Sequence, residues 1–108
     1  MTDANYGIVL VTAASQKEAE TIASHLLEAK LAACVALTPV ESFYVWQGKM
    51  NCDREWQLTI KTNLSLFEAI FAKIKAIHSY EVPEIIALPI VAGTRSYLNW
   101  IGENTQTH

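Results

Sequence analysis

Charge is scarce in this chain of 108 residues: Lys, Arg, Asp and Glu make up 18% of it, against 51% hydrophobic residues. Disordered segments are poor in apolar residues and rich in charge, so this composition excludes a disordered chain. No apolar run approaches the roughly 20 residues that a membrane-spanning helix needs, and we expect no membrane partner. A chain of this length holds one hydrophobic core, which predicts a single domain over residues 1–108.

Basic charge is in deficit as well. Eight Lys and Arg residues stand against 11 Asp and Glu residues, which gives a net charge of −3. Nucleic-acid-binding domains carry a basic patch, so nucleic acid is not an expected partner. The cysteines Cys34 and Cys52 form no CxxC pair, and residues 1–5 carry no basic segment of a secretion signal. These features predict reduced thiols and a cytoplasmic protein.

Catalytic motifs are missing too. The chain contains neither the GxSxG elbow of serine hydrolases nor a P-loop. Its His, Cys, Asp and Glu residues do not have the spacing of a structural zinc site. We therefore expect a protein that binds or presents something rather than an enzyme.

Apolar periodicity is what the chain does have, and its first half shows a strand, a helix and a second strand. The apolar run Tyr6–Val11 predicts a strand that is covered on both faces. A helix over Gln16–Ala29 follows, with a capping box at Ser15–Glu18. A long extended segment from Ala33 to Trp46 then leads into a hairpin connection at Gln47–Asn51.

The second half repeats this plan. Strict alternation over Glu55–Thr62 predicts a strand with one polar and one apolar face. A second capping-box pattern at Ser65–Glu68 precedes an apolar helix face, and a loop at His78–Pro83 follows, because proline disfavours helix in the residue before it. The run Ile85–Val91 predicts the last strand. The helix face consists of Phe67, Ile70, Phe71, Ile74 and Ile77, and a short C-terminal helix is expected around Tyr97, Leu98, Trp100 and Ile101.

The predicted order βαββαβ, plus a short C-terminal helix, is the ferredoxin-like split βαβ plan of an α+β fold. The first and third strands are central in that plan, and Pro39 and Pro89 fall in edge strands, which tolerate a missing N–H. Both long helices cover one face of the sheet. The other face is left with the remaining apolar side chains of Tyr6–Val11 and Ile85–Val91. An exposed patch of this kind marks an interface, so we expect a homo-oligomer.

Four segments, in this order, resemble the CutA family: Leu31–Val35, Tyr44–Lys49, Ile60–Thr62 and His78–Ile85. The resemblance extends over almost the whole chain. It implies a ferredoxin-like homotrimer that is similar to the PII signalling proteins, with ligand sites in clefts between subunits. The family name implies divalent-cation tolerance, with copper as the cation chiefly concerned.

Six residues are candidates for a ligand site in such a cleft. Glu55 and Lys61 lie six apart on one strand and share its polar face. A solvated ion pair explains them equally well, and the match to the family pattern favours the cleft. Large amphipathic side chains near the hairpin, loop and tail are either trimer packing or a wall for a small molecule. The six candidates are Trp46, Glu55, Lys61, Tyr80, Glu84 and Trp100.

Two residues are candidates for a metal site. Cys34 lies in an apolar strand, where a thiol is either a small buried hydrophobe or a soft-metal ligand. His78 ends the second helix, where it complements the helix dipole, makes a plain hydrogen bond or binds a metal. The first strand ends without a thiol and the loop holds one histidine, so a copper site has to be assembled between chains. The functions that remain are a trimeric small-ligand or ion-binding carrier or signalling module, and a trimeric scaffold for other proteins.

Overall fold

Four antiparallel strands and three helices make up the part of the chain that the computed structural model describes, residues 5–106. The strands lie in the order β2-β3-β1-β4. The predicted ferredoxin-like plan is therefore confirmed, with the first and third strands at the centre. The elements are β1 (Tyr6–Ala13), α1 (Gln16–Glu28), β2 (Cys34–Trp46), β3 (Lys49–Asn63), a 3-10 turn (Leu64–Leu66), α2 (Phe67–Ile77), β4 (Ile85–Pro89) and α3 (Arg95–Glu103).

The hydrophobic core lies between the sheet and the helices α1 and α2. Side chains that alternate along β1 and β3 meet the apolar stripes of both helices, and burial of this apolar area is the main stabilising contribution. Phe71, predicted to belong to the helix face, is 41% exposed instead. The fully buried members include Val9, Val11, Ile22, Leu26, Leu58, Ile60, Ile70 and Ile74.

The two helices begin differently. Ser15 caps α1 by accepting a hydrogen bond from the Glu18 amide at 3.1 Å, as the first capping-box pattern predicts, but the Glu18 carboxylate accepts from the Ala14 amide rather than from that of Ser15. The second is wrong, because Ser65 lies inside the 3-10 turn. The side chain of Asn63 caps that turn, at 2.9 Å from the Ser65 amide nitrogen, and α2 begins afterwards without a side-chain cap.

Strands β2 and β3 extend well beyond the rest of the sheet. Strand β1 pairs only with Trp56–Asn63 of β3, so Lys49–Glu55 pair with Val40–Trp46 alone. We call this two-stranded projection the hairpin arm. The β3 part of the arm precedes the predicted strand Glu55–Thr62 in sequence. The arm makes the molecule elongated, with extents of 48 × 26 × 21 Å. None of the helices within residues 5–106 is long and apolar enough to cross a membrane.

We call the side of the sheet away from α1 and α2 the open face. Helix α3 packs over one end of it, where Ile101 is fully buried. At its centre lie four apolar side chains of the paired strands β1 and β4, of which Ile86 is 49% and Leu88 is 45% exposed. We call this set the apolar patch: Ile8, Leu10, Ile86 and Leu88. Strand β4 ends at Pro89, shorter than predicted, and Val91 lies outside it at 93% exposure.

Candidate ligand cavity

A cavity of about 710 Å³ opens between the hairpin arm and the exit loop, residues 78–84, which joins α2 to β4. Its volume is in the range of small-molecule sites. Four of the six predicted ligand residues line it: Trp46, Glu55, Tyr80 and Glu84. The structure thus brings these four together within one chain.

A hydrogen bond between Tyr80 and Glu55 joins the two walls of the cavity. The Tyr80 hydroxyl donates to Glu55 Oε2 at 2.6 Å. Burial raises the pKa of the Tyr80 phenol, and the hydrogen bond and the charge of Glu55 raise it further. Tyr80 therefore stays protonated and holds the Glu55 carboxylate in place.

His78 anchors the exit loop to the sheet. Its Nε2 lies 2.7 Å from the Thr12 carbonyl oxygen, and its Nδ1 lies 3.0 Å from the amide nitrogen of Tyr80. The carbonyl can only accept and the amide can only donate, so Nε2 carries the proton and Nδ1 accepts. This tautomer places Tyr80, whose ring centroid is 4.8 Å from that of the imidazole.

Glu18 holds the same loop from the other side. Its carboxylate accepts from the Ser79 amide at 2.7 Å, the Ser79 hydroxyl at 3.0 Å and the Ala14 amide at 3.0 Å. Burial raises the pKa of this carboxyl, but these hydrogen bonds outweigh it, and the pKa lies below its ordinary value. Helix α1 thereby fixes the loop that carries Tyr80.

The hairpin arm supplies the opposite wall. A two-residue turn at Gln47 and Gly48, with φ of 52° and 76°, reverses the chain, and both residues take the left-handed conformation of a type I′ turn. The alternation of the strands then turns Tyr44, Trp46 and Asp53 toward the cavity. The Tyr44 hydroxyl donates to the Asp53 carboxylate, and this bond raises the pKa of the phenol.

Glu84 closes the cavity near the start of β4. Burial raises the pKa of its carboxyl, and the negative charge of Glu55 raises it further. The carboxyls of Glu55 and Glu84 therefore interact electrostatically. Of these two, Glu55 alone accepts a hydrogen bond within residues 5–106.

The other two predicted ligand residues lie elsewhere. Lys61 is six residues from Glu55 along β3, about 20 Å at the rise of an extended strand. Its ammonium lies 6.0 Å from the centroid of the Tyr97 ring, and that ring is 5.5 Å from Trp100. Lys61 and Trp100 therefore belong to a separate group, in which Lys61 of β3 faces Tyr97 and Trp100 of α3.

The two predicted metal ligands do not meet within one chain. Cys34 pairs with Lys61, whereas the carbonyl that His78 contacts belongs to Thr12, which pairs with Gln57. The two positions are about 13 Å apart along the sheet. Both ring nitrogens of His78 are engaged, and no group of three or more His, Cys, Asp or Glu in the described range is arranged to hold a metal ion. A site at these residues does not fit the chain as folded, and it stays a prediction for an assembly.

The sequence did not single out several residues that form the cavity or hold its loop. Glu18 was recognised only as part of a capping box, and its contact with Ser79 spans 61 residues. Asp53 lies in the part of β3 where polar residues interrupt the alternation and hide the strand, whereas Tyr44 lies in the predicted extended segment but was not singled out as a ligand residue. The Tyr80–Glu55 pair joins two candidates that the sequence had singled out separately.

The known proteins that this chain resembles are CutA proteins. A family model described as CutA1 divalent ion tolerance protein matches residues 7–104. The divalent-cation tolerance protein CutA of Thermus thermophilus is 48% identical over 99 residues, 91% of this chain and 96% of that one. The solved structure of the periplasmic divalent cation tolerance protein CutA of Archaeoglobus fulgidus matches with a TM-score of 0.91 and 42% identity, covering 94% of this chain and 99% of that one.

These comparisons correct the predicted location. The rice relative, 43% identical over 100 residues, 92% of this chain and 56% of its own length, is a chloroplastic protein. The related structure from Archaeoglobus fulgidus is named periplasmic. The expectation of a cytoplasmic protein is therefore wrong, because similar chains are assigned to other compartments and two unpaired cysteines do not distinguish among them.

Proposed function

Because the chain belongs to the CutA1 divalent ion tolerance family, we propose that it is a non-catalytic homotrimer that binds a small ligand or ion in clefts between its subunits. In this role it acts as a carrier or signalling module. The observation that carries the proposal is the position of the cavity. It lies on the open face beside the apolar patch, so a copy that covers the patch would also close the cavity.

The hairpin arm supports the same assembly. Its side away from the cavity exposes Val45 at 74% and Met50 at 79%, and Phe43, which also borders the cavity, is 66% exposed. Isolated two-stranded hairpins are marginally stable in water, so an arm of this length needs a covering surface. A neighbouring copy would supply one.

The oligomeric state tests the assembly. We expect wild-type protein in light scattering to have three times the 12.0 kDa chain mass. Leu88→Lys places a charge in the apolar patch and should shift the mass toward that of the single chain. The matched control Val91→Lys, at a side chain outside the sheet, should leave it unchanged. A wild-type monomer would contradict the proposal.

A divalent cation, with copper foremost, is the ion that the family name supports as a ligand of the assembly. Two chains would have to contribute side chains, since His78 and Cys34 are too far apart in one. Copper titration of His78→Ala and Cys34→Ser, with His25→Ala as the control histidine, tests this. Unchanged stoichiometry and affinity in both variants would remove these residues from the site.

The exposed strip of the arm also favours a second function, presentation of a surface to another protein. Hydrogen exchange at Phe43, Val45 and Met50 in the assembled protein distinguishes the two. Protection of the strip assigns it to self-assembly. Fast exchange in a stable trimer would leave it available to another protein and favour the scaffold.

A further inference from the structure

Glu55 is a carboxylate that is 9% exposed, and it has no cationic partner within residues 5–106. The ion pair in this range joins Arg54 to Glu41, and Glu18 lies 3.8 Å from Nδ1 of the neutral His78 ring. Oε2 of Glu55 accepts from Tyr80, while Oε1 accepts no hydrogen bond from the described residues. No buried side-chain nitrogen or oxygen of the described residues lacks a hydrogen-bond partner, so Oε1 is open to the cavity, where an unpaired carboxylate oxygen attracts a positive group from outside the chain.

The charges around Glu55 also favour a cation. The described residues that line the cavity include the acids Asp53, Glu55, Glu81 and Glu84 and no Lys or Arg. The Lys75 ammonium contacts the exit loop at the Glu81 carbonyl oxygen, 3.2 Å away, and forms no ion pair with a carboxylate of the described residues. Four acids without a base make the cavity a region of negative potential that attracts cations.

Aromatic side chains distinguish this cavity from a simple acidic surface. Tyr44, Trp46 and Tyr80 line the same space as the carboxylates. Aromatic faces attract organic cations, and their rings also bury an apolar ligand body. Tyr44 and Trp46 are 40% and 50% exposed, so their rings still have surface to offer.

We propose that this cavity binds an organic ammonium compound, with the charged nitrogen at Oε1 of Glu55 and the apolar body against Tyr44 and Trp46. The proposal deepens the proposed function and rests on it only in taking the cavity as a ligand site. A bare metal ion is the poorer fit, because no three metal-binding side chains of the described range converge. A nucleotide or another phosphate ester would bring negative charge against four carboxylates.

Calorimetric titration of the assembled protein with phenethylamine tests this, with 2-phenylethanol as the uncharged probe of similar shape. We expect saturable binding of one amine per chain and at least tenfold weaker binding of the alcohol. Glu55→Gln keeps an acceptor for Tyr80 and removes the charge, and it should weaken amine binding at least tenfold. Glu41→Gln removes the same charge from the same pair of strands outside this cavity, and should change the affinity less than twofold.

Three results would overturn the proposal. Equal binding of amine and alcohol would show that charge plays no part. Full amine affinity in Glu55→Gln would place the ammonium elsewhere. Amine binding to Lys61→Ala but not to the wild type would show that Lys61 of another copy is the partner of Glu55.

Failure of this proposal is distinguishable from failure of the proposed function. A wild-type trimer that binds ATP or succinate in this cavity, and not the amine, would disprove the ligand class alone. A monomer that binds neither anion, amine nor divalent cation would disprove both.

Discussion

Glu18 of α1 and Ser79 of the exit loop are 61 residues apart in sequence, and two hydrogen bonds join the carboxylate of one to the amide and hydroxyl of the other. The loop that carries Tyr80 into the cavity therefore depends on the beginning of α1. Such a contact links the stability of the fold to the shape of the site.

Glu18→Gln should lower the free energy of unfolding by about 2 kcal/mol at pH 7, because several hydrogen bonds lose their charged acceptor. The folded protein holds the pKa of Glu18 below its ordinary value. Its contribution is thus present above the unfolded pKa of about 4.3 and is lost as pH falls through the folded pKa. Urea unfolding between pH 7 and pH 3 should show the variant converging on the wild type.

The control for Glu18 is Glu68→Gln, an exposed acid in the first turn of α2. It should shift stability by less than about 0.5 kcal/mol, as is usual for surface substitutions. A constant difference between Glu18→Gln and wild type down to pH 3 would contradict the assigned role of the charge.

Removing the charge of Glu55 should lower two pKa values at once. Burial and Glu55 together raise the pKa of Tyr80 and of Glu84. In Glu55→Gln burial remains for both groups, with the charges of Glu18 and Asp53 for Tyr80, and both pKa values should move toward their ordinary values. Carbon-detected NMR titration of the Tyr80 ring and the Glu84 carboxyl measures this. Unchanged values in Glu55→Gln would show that burial alone sets them.

Thr62→Val should destabilise the fold although the two side chains have nearly the same shape. Thr62 is fully buried, and its hydroxyl donates to the Leu31 carbonyl oxygen at 2.6 Å. Valine leaves that carbonyl without this donor, which lowers the free energy of unfolding by about 1–3 kcal/mol. Thr59→Val, on the open face of the same strand, is the matched control and should have a smaller effect in the same denaturation experiment.

The turn of the hairpin arm should respond to substitutions that change its backbone preference. Gln47 and Gly48 both have positive φ. Gln47→Asn should stabilise the arm by about 0.5 kcal/mol, whereas Gly48→Val should destabilise it by about 1–3 kcal/mol, since asparagine tolerates this conformation and valine does not. Hydrogen exchange of the Trp46 and Lys49 amides, which form the hydrogen-bonded pair next to the turn, reports on the arm. Equal exchange in both variants would contradict the type I′ assignment.

The sequence predicts the sheet topology well because its signals are local. Apolar runs, one serine N-cap and the two prolines at edge strands together leave few ways to arrange six elements. The same reasoning failed at Ser65, where the Ser-x-x-Glu pattern recurs. There the chain runs directly from β3 into a 3-10 turn, and Asn63 occupies the capping position first.

The candidate site was only half predictable for a different reason. Trp46, Glu55, Tyr80 and Glu84 were chosen one at a time, and only the folded chain gathers them at one cavity. Lys61 shares a strand and a face with Glu55, which sequence detects, but strand rise keeps the two about 20 Å apart. The contacts of Glu18 and His78 with distant backbone groups leave no local pattern at all.

The hairpin arm has two roles, one on each of its sides. In the assembly proposed above, its cavity side would hold the ligand and its opposite side would face a neighbouring copy. Ligand binding and trimer formation would both order the arm. By thermodynamic linkage, each event then favours the other by the same free energy. Each bound ligand would tighten the trimer by the same factor by which trimer formation tightens the binding of that ligand, and dilution alone would lower the apparent affinity.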